Sequence, residues 1–211
     1  MRYKGIYWTV FAPMIRQSMR ERFGRETAEQ AVRRGKGEYR RIVEAADELG
    51  PGNPLAMNAY FAYVFAGAWL GCGRTVTPED MGAVMTDVLT TPLVRTVLGC
   101  IDLNRSPRYW YRSMKRYEAW CERHGRDYPA TWKVGFDEGL HRDGSYYYFT
   151  SCPICAHCQK QGIGELMGAL CATDRVMFAL QHGVLHREHV IAQGGAMCDY
   201  WVVGDRVRDA K

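Results

Sequence analysis

Three cysteines stand three apart in "SCPICAHCQ": Cys152, Cys155 and Cys158, with His157 among them. The same last third of the chain adds Cys171, Asp174, Arg187, His189, Cys198 and Asp199. Four chemistries fit such residues. An iron–sulfur site has a Cys-x-x-Cys-x-x-Cys run, but no fourth cysteine with its proline follows at close spacing here. A zinc site would take Cys152 and Cys155 with two of Cys171, His189 and Cys198, although the second half of the ligand set is scattered instead of paired. A redox Cys-x-x-Cys pair lacks a βαβ setting. A nucleophilic thiol, with His189 as proton carrier and Asp199 or Asp174 as orienting carboxylate, needs a thiolate, and such neighbours lower a thiol's pKa. Against all four stands plain packing, since cysteine is often buried. Packing is the better account of Cys72, Cys100 and Cys121, which lie at or on apolar helical stretches.

The late residues need elements that bring them together. "TWKVGFDEG" and "SYYYFTS" are rich in aromatic and β-favouring residues. The Asp-Gly of "LHRDGS" between them signals a hairpin turn. A helix is expected from about residue 159 to 181, interrupted at Gly162–Gly164, and then strands over "VLHREHVIAQ" and "MCDYWVVG", separated by Gly194–Gly195. Cys152 falls at a strand-to-helix junction. Pro153 suits the first helical turn, and the free N–H groups that follow would stabilise a Cys152 thiolate by about 0.3–1 kcal/mol. Cys171 and Asp174, three apart, share a helix face.

Upstream, residues 14–49 read as helix, ended by "GPGNP". No charge appears between Glu48 and Arg74. The apolar stretch "LAMNAYFAYVFAGAWLGCG" barely reaches the ~20 residues of a membrane span, and its Gly and Ala residues suit close packing of a buried helix instead. Thr77 is a natural N-cap for "PEDMGAVMTDVL", with Pro78 at the first position and Glu79 and Asp80 in the first turn. Pro92 opens a short helix, and Pro107 one that runs to about Gly125. The expected architecture is α+β: an all-helical region over 1–128 packed with a small antiparallel sheet carrying one long helix over 129–211, together forming one compact unit.

Composition sets the class. Of 211 residues, 47% are hydrophobic and 24% charged, as in ordinary globular proteins. The formal net charge of +5 is spread over helical faces with acids nearby, and no nucleic-acid recognition motif accompanies it. "IYWTVFAPM" is short and lacks a small-residue cleavage site, so a cytoplasmic setting with reduced thiols is expected. A small-molecule partner is expected, with neither nucleic acid nor membrane.

"TSCPIC", "LCATD" and "LHREHVIAQGGAMCDYWV", in that order, resemble the L-2-amino-thiazoline-4-carboxylic acid hydrolase family. The resemblance rests on Cys152–Pro153, Cys171 with Asp174, Arg187 with His189, Gly194–Gly195, and Cys198–Asp199–Tyr200, and it covers about residues 130–203. Gln193 stands where an acidic residue is expected. The resemblance implies a hydrolase that adds water to a cyclic amidine-like carbon between nitrogen and sulfur, opening a thiazoline ring to N-carbamoyl-cysteine. It implies Cys152 or Cys198 as the attacking thiol, or an activated water, with His189 as proton shuttle. Asp174 and Asp199 would hold the amidine, with Cys171 beside them, and Arg187 the substrate carboxylate. No cofactor is implied. The alternative is a non-enzymatic metal- or small-molecule-binding module, with zinc on Cys152, Cys155, Cys171 and Cys198.

Overall fold

The structure, a computed structural model, describes residues 1–137, 139–141 and 143–207. The fold is α+β, with N-terminal helices and a C-terminal four-stranded antiparallel sheet. The chain divides into two compact units. The first comprises Met1–Glu48, Leu55–Thr91 and Ala156–Thr173; the second comprises Leu49–Pro54, Pro92–Cys155 and the chain from Asp174.

In the first unit α1 runs Gly5–Ala45, so the helix begins nine residues before the expected start at 14 and passes through Pro13. A proline inside a helix removes one backbone bond. Here Trp8, Ala12, Ile15 and Met19 are buried on either side of it, and tertiary packing holds the turn. α1 bends at Gly24, whose φ of 84° is open to glycine and strained for other residues. α2 (Ala56–Gly71) is the apolar stretch, and eleven of its sixteen residues are buried. Its small residues allow backbone contact with α1: a Cβ at Gly71 would lie 2.5 Å from the Gly35 nitrogen and 2.6 Å from the Ala31 carbonyl. The third helix, α3 (Pro78–Leu89), starts as the sequence indicates, with the Asp80 N–H donating to Thr77 Oγ1 at 3.1 Å.

The second unit holds α4 (Pro92–Leu98), α5 (Tyr109–His124) and the sheet strands β1 (Lys133–Gly135), β2 (Ser145–Ser151), β3 (Gly183–His186) and β4 (Cys198–Gly204), in the order β1-β2-β4-β3. The turn expected at "LHRDGS" includes Arg142, which lies outside the described residues, but β1 and β2 pair antiparallel as expected. Two further helices belong to this part of the sequence. α6 (Pro153–Lys160) begins directly after β2, with Pro153 in its first turn as the strand-to-helix junction at Cys152 suggests, six residues before the start at about 159 expected for the long helix. α7 (Met167–Leu180) follows the break, where Gly162 has a φ of 66°. From its second-unit end, α7 packs Phe178 on the sheet with Leu103, Leu185 and Val202, flanked by Met177, Trp110 and Tyr200. The face of the sheet that meets α7 follows from strand alternation: Tyr147 and Phe149 on β2, Tyr200 and Val202 on β4, Leu185 on β3.

β3 is shorter than the strand expected over 184–193. His186 pairs with Trp201, so Glu188 would pair with Asp199 if the ladder continued. The Asp199 carboxylate instead takes the Glu188 N–H at 3.0 Å and the His189 N–H at 2.6 Å, and the chain turns away. A short 3-10 turn follows at Ile191–Gln193, closed by Gly194 at φ 87°.

The contact of α1 with α2 leaves no space for a side chain at position 71. Gly71→Ala should therefore destabilise the protein by about 1–3 kcal/mol through overpacking, read as a lower urea midpoint with an unchanged slope. A neutral result would mean that the helices separate at little cost.

Candidate functional site

Cys152 follows the last residue of β2 and is the N-cap of α6. Pro153 fills the first helical position, which has no use for an N–H. The Cys155 N–H then points back at the Cys152 sulfur, at 3.4 Å. Phe149 pairs with Cys198, so the end of β2 and the start of β4 lie side by side. This register brings three thiols into one neighbourhood. A charge on Cys198 is felt by both Cys152 and Cys155. Cys155 and Cys198 are buried, Cys152 partly so. The Ile191 N–H donates to the Cys198 sulfur at 3.2 Å.

Beside Cys198 lies a charged pair on the α7-facing side of the sheet. Asp174 is one helical turn before Phe178, so it shares the face of α7 that meets the sheet. Arg187 is two residues beyond Leu185 and continues that strand's inward row. Its Nη2 donates to Asp174 Oδ2 at 2.7 Å, with the side chains 5% and 29% exposed respectively. The Arg187 Nε donates to the Asp199 carbonyl at 3.3 Å, and its guanidinium lies 4.0 Å from the centre of the Tyr200 ring. The Tyr200 hydroxyl donates to the same Asp174 Oδ2 at 3.0 Å. Tyr147 stacks on Tyr200 at 4.9 Å.

The structure therefore assembles Cys152, Cys198, Asp174 and Arg187, with Cys155 and Tyr200 added. It places the other sequence candidates differently. Asp199 precedes Tyr200 on β4 and points to the opposite face, where its carboxylate holds the N–H groups of Glu188 and His189. His189 lies in the loop after β3, half exposed, with Nδ1 3.8 Å from Asp199 Oδ1. Cys171 belongs to the first unit, on α7 one turn before Asp174. Cys158 and His157 also belong to the first unit. Cys158 is fully buried there, and His157 bonds through Nε2 to the Ile42 carbonyl at 2.9 Å. Tyr200, in the sequence only the last residue of the Cys198–Asp199–Tyr200 motif, joins the site because it is two residues from Cys198 on a strand, hence on the same face.

The thiols carry an electrostatic correction to the sequence reading. The α6 N–H groups do favour a Cys152 thiolate, but burial outweighs them and pushes the Cys152 thiol up to about 11. Burial also raises Cys155. Cys198 is raised by burial first, with Asp174 and Asp199 adding to the rise and the Ile191 N–H and Arg187 opposing it. All three are neutral thiols at pH 7. Among the described residues no group of three or more His, Cys, Asp or Glu side chains is arranged to hold a metal ion.

Residues 57–202 match the family model described as L-2-amino-thiazoline-4-carboxylic acid hydrolase. The chain belongs to this family. The matched span covers more than half of the chain, from the first turn of α2 to β4, and includes every residue of the cluster. No curated protein and no solved structure matches the chain. Among the described residues no helix is long and apolar enough to cross a membrane.

Neutral buried thiols make two expectations. Iodoacetamide should label exposed Cys100 well before Cys152 and Cys198 at pH 7, with Cys152 gaining reactivity only as the pH nears 11; early labelling of Cys152 near pH 6 would contradict the burial argument. The folded-state thiol pKa lies above its ordinary value, so this contribution to stability is complete below about pH 9 and is lost as pH rises toward 11. Urea midpoints should fall over that interval, and less so in Cys152→Ala.

Proposed function

We propose that this chain hydrolyses L-2-amino-thiazoline-4-carboxylate or a near relative with the same cyclic amidine. Family membership over residues 57–202 supports this substrate class. The observation that carries the chemistry is the placement of Cys198 beside the Asp174–Arg187 pair.

Hydrolysis of the thiazoline adds one water: its oxygen becomes the carbonyl oxygen on C2, the C2–sulfur bond breaks, and its two protons end on the ring nitrogen and the released sulfur, giving N-carbamoyl-cysteine. The substrate's amidine is a cation when protonated. Asp174 is the carboxylate of the cluster, and its Oδ2 accepts from Arg187 and Tyr200. A bound amidinium would neutralise the charge that helps to hold the Cys198 proton in place, and would add a positive charge beside the sulfur. Both effects lower the thiol's pKa. The resting thiol is thereby kept protonated and becomes a nucleophile or base when substrate arrives. Cys152, at the start of α6 with the Cys155 N–H on its sulfur, is the second thiol that feels a charge on Cys198. His189, half exposed in the loop after β3, is the candidate for exchanging the proton with solvent. In this reading Arg187 is the fixed support of Asp174, since its side chain is nearly buried and turned toward that carboxylate.

The test is turnover. Purified protein incubated with L-2-amino-thiazoline-4-carboxylate should yield N-carbamoyl-cysteine by mass spectrometry, with one new thiol per product by colorimetric titration. Cys198→Ser should lower kcat by at least ~10²-fold while the protein stays folded, as expected for loss of a group that acts in the chemical step. An active Cys198→Ser would remove the thiol from the reaction.

A further inference from the structure

We infer that Asp199 is a positioning residue: its carboxylate clasps the main chain at Glu188 and His189, and the loop so held keeps the Ile191 N–H on the sulfur of Cys198. The inference rests on the reading of Cys198 as the reacting thiol and deepens it by naming the contacts that aim a donor at that sulfur.

The starting point is a buried carboxylate. Asp199 is 7% exposed, and a carboxylate that deep needs donors. Main-chain N–H groups supply them: His189 donates to Oδ1 at 2.6 Å, and Glu188 reaches Oδ2 at 3.0 Å and Oδ1 at 3.2 Å. The Asp199 N–H also donates to the His189 carbonyl at 3.4 Å. Side chain and main chain of one strand residue therefore grip the start of the loop. From there the loop closes on itself. The N–H groups of Gln193 and Gly195 both donate to the Val190 carbonyl at 3.0 Å, and that of Gly194 to the Ile191 carbonyl at 3.0 Å. Gly194 takes a φ of 87°, and a Cβ at Gly195 would lie 3.0 Å from the Val190 oxygen, so two glycines permit the closure. A loop gripped at its start and closed this tightly has a fixed aim, and the Ile191 N–H meets the Cys198 sulfur at 3.2 Å. Burial raises the Cys198 thiol, and the Ile191 N–H is the first of the groups that oppose it, ahead of Arg187, while the charges of Asp174 and Asp199 add to the rise. Asp199 thus reaches Cys198 by two routes of opposite sign. Through the loop it favours the thiolate; through its charge it disfavours it.

The opposite signs make the experiment. The Cβ of Cys198 is followed by NMR as pH rises, in protein carrying isotope-labelled cysteine, beside amide hydrogen exchange of the loop and kinetics on L-2-amino-thiazoline-4-carboxylate. Ile191→Pro deletes the N–H alone: Val190 is already extended, at φ −139° and ψ 122°, as the residue before a proline prefers. Cys198 should then titrate about one pH unit higher, the tenfold effect of one hydrogen bond to an anion. Asp199→Asn puts an amide NH2 where the clasp needs an acceptor. It should move the titration upward too, and speed exchange of the Ile191 amide by at least ~10-fold. In the Ile191→Pro background the same change should move the titration downward, because only the lost charge remains. A downward or absent shift in Asp199→Asn alone, or no shift in Ile191→Pro, would overturn the proposal. If Asp199→Asn does not fold, Asp199→Glu keeps the charge and displaces the clasp by one carbon: a titration that still rises supports the proposal, and an unchanged one overturns it. Both single variants should lower kcat by about 10-fold with KM changed less than ~3-fold. Wild-type protein without turnover would refute the hydrolase reading, and the titration would then decide the clasp on its own.

Discussion

The site depends on one partly buried ion pair. Arg187 is too far inside to stand alone: an isolated charge at 5% exposure would carry a heavy desolvation cost. Pairing relieves that cost only if geometry is good, and here two elements supply it. α7 delivers Asp174 one turn from Phe178, whose burial against Leu185 and Val202 fixes the helix on the sheet. β3 delivers Arg187 two residues beyond Leu185, one of the same core residues. The apolar cluster and the ion pair are therefore two rows of one interface, and loosening the first would separate the charges in the second. The sulfur of Cys198 also feels this pair, after burial and the Ile191 N–H, with Arg187 and Asp174 acting on it with opposite sign.

The thiol cluster illustrates a competition that residue spacing alone does not decide. A cysteine at a helix N-cap enjoys N–H donors and a dipole, effects of about 0.3–1 kcal/mol on an anion. Burial acts on the same anion in the opposite direction and is larger, moving a thiol by several pKa units at full burial. At Cys152 burial prevails, with Cys198 and Cys155 nearby as further potential negative charges. Three neutral thiols can share one neighbourhood; three thiolates could not without a cation. A cationic amidine is a ligand whose charge suits that arrangement.

What was legible in the sequence was whatever local chemistry settles. Thr77–Pro78 announces the start of α3 because an N-cap hydroxyl and a proline without an N–H are each satisfied there, whatever surrounds them. "SYYYFTS" is a strand by composition and alternation, and Cys152–Pro153 marks the switch from strand to helix. The early start of α1 was not legible, because Pro13 argues locally against a helix and only the burial of Trp8, Ala12 and Ile15 overrides it. Nor was the end of β3: nothing in "LHREHV" stops a strand, and the stop comes from a carboxylate ten residues or more along the chain, on β4. The site was half legible for the same reason. Cysteines, Asp174 and Arg187 are conspicuous by type, whereas Tyr200 is only the end of a sequence motif until its hydroxyl is seen on Asp174.

Cys198 and Asp199 make the point most sharply, because adjacent residues in a motif invite a common role. On a strand they cannot share one. Alternation sends Cys198 with Tyr200 and Val202 toward α7, and Asp199 with Trp201 toward the other face, where Trp201 lies against His141 and His186. The two still serve the same centre by different means. Asp199 lends its main chain to the site, since its carbonyl accepts from Arg187, while its carboxylate grips the backbone of the loop that carries His189 and Ile191. Ile191 in turn donates to the Cys198 sulfur. Asp199 thus shapes the surroundings of the thiol from behind, through the loop it anchors, and the pairing of a cysteine with an aspartate in sequence reflects a strand with one residue in the site and the next holding its frame.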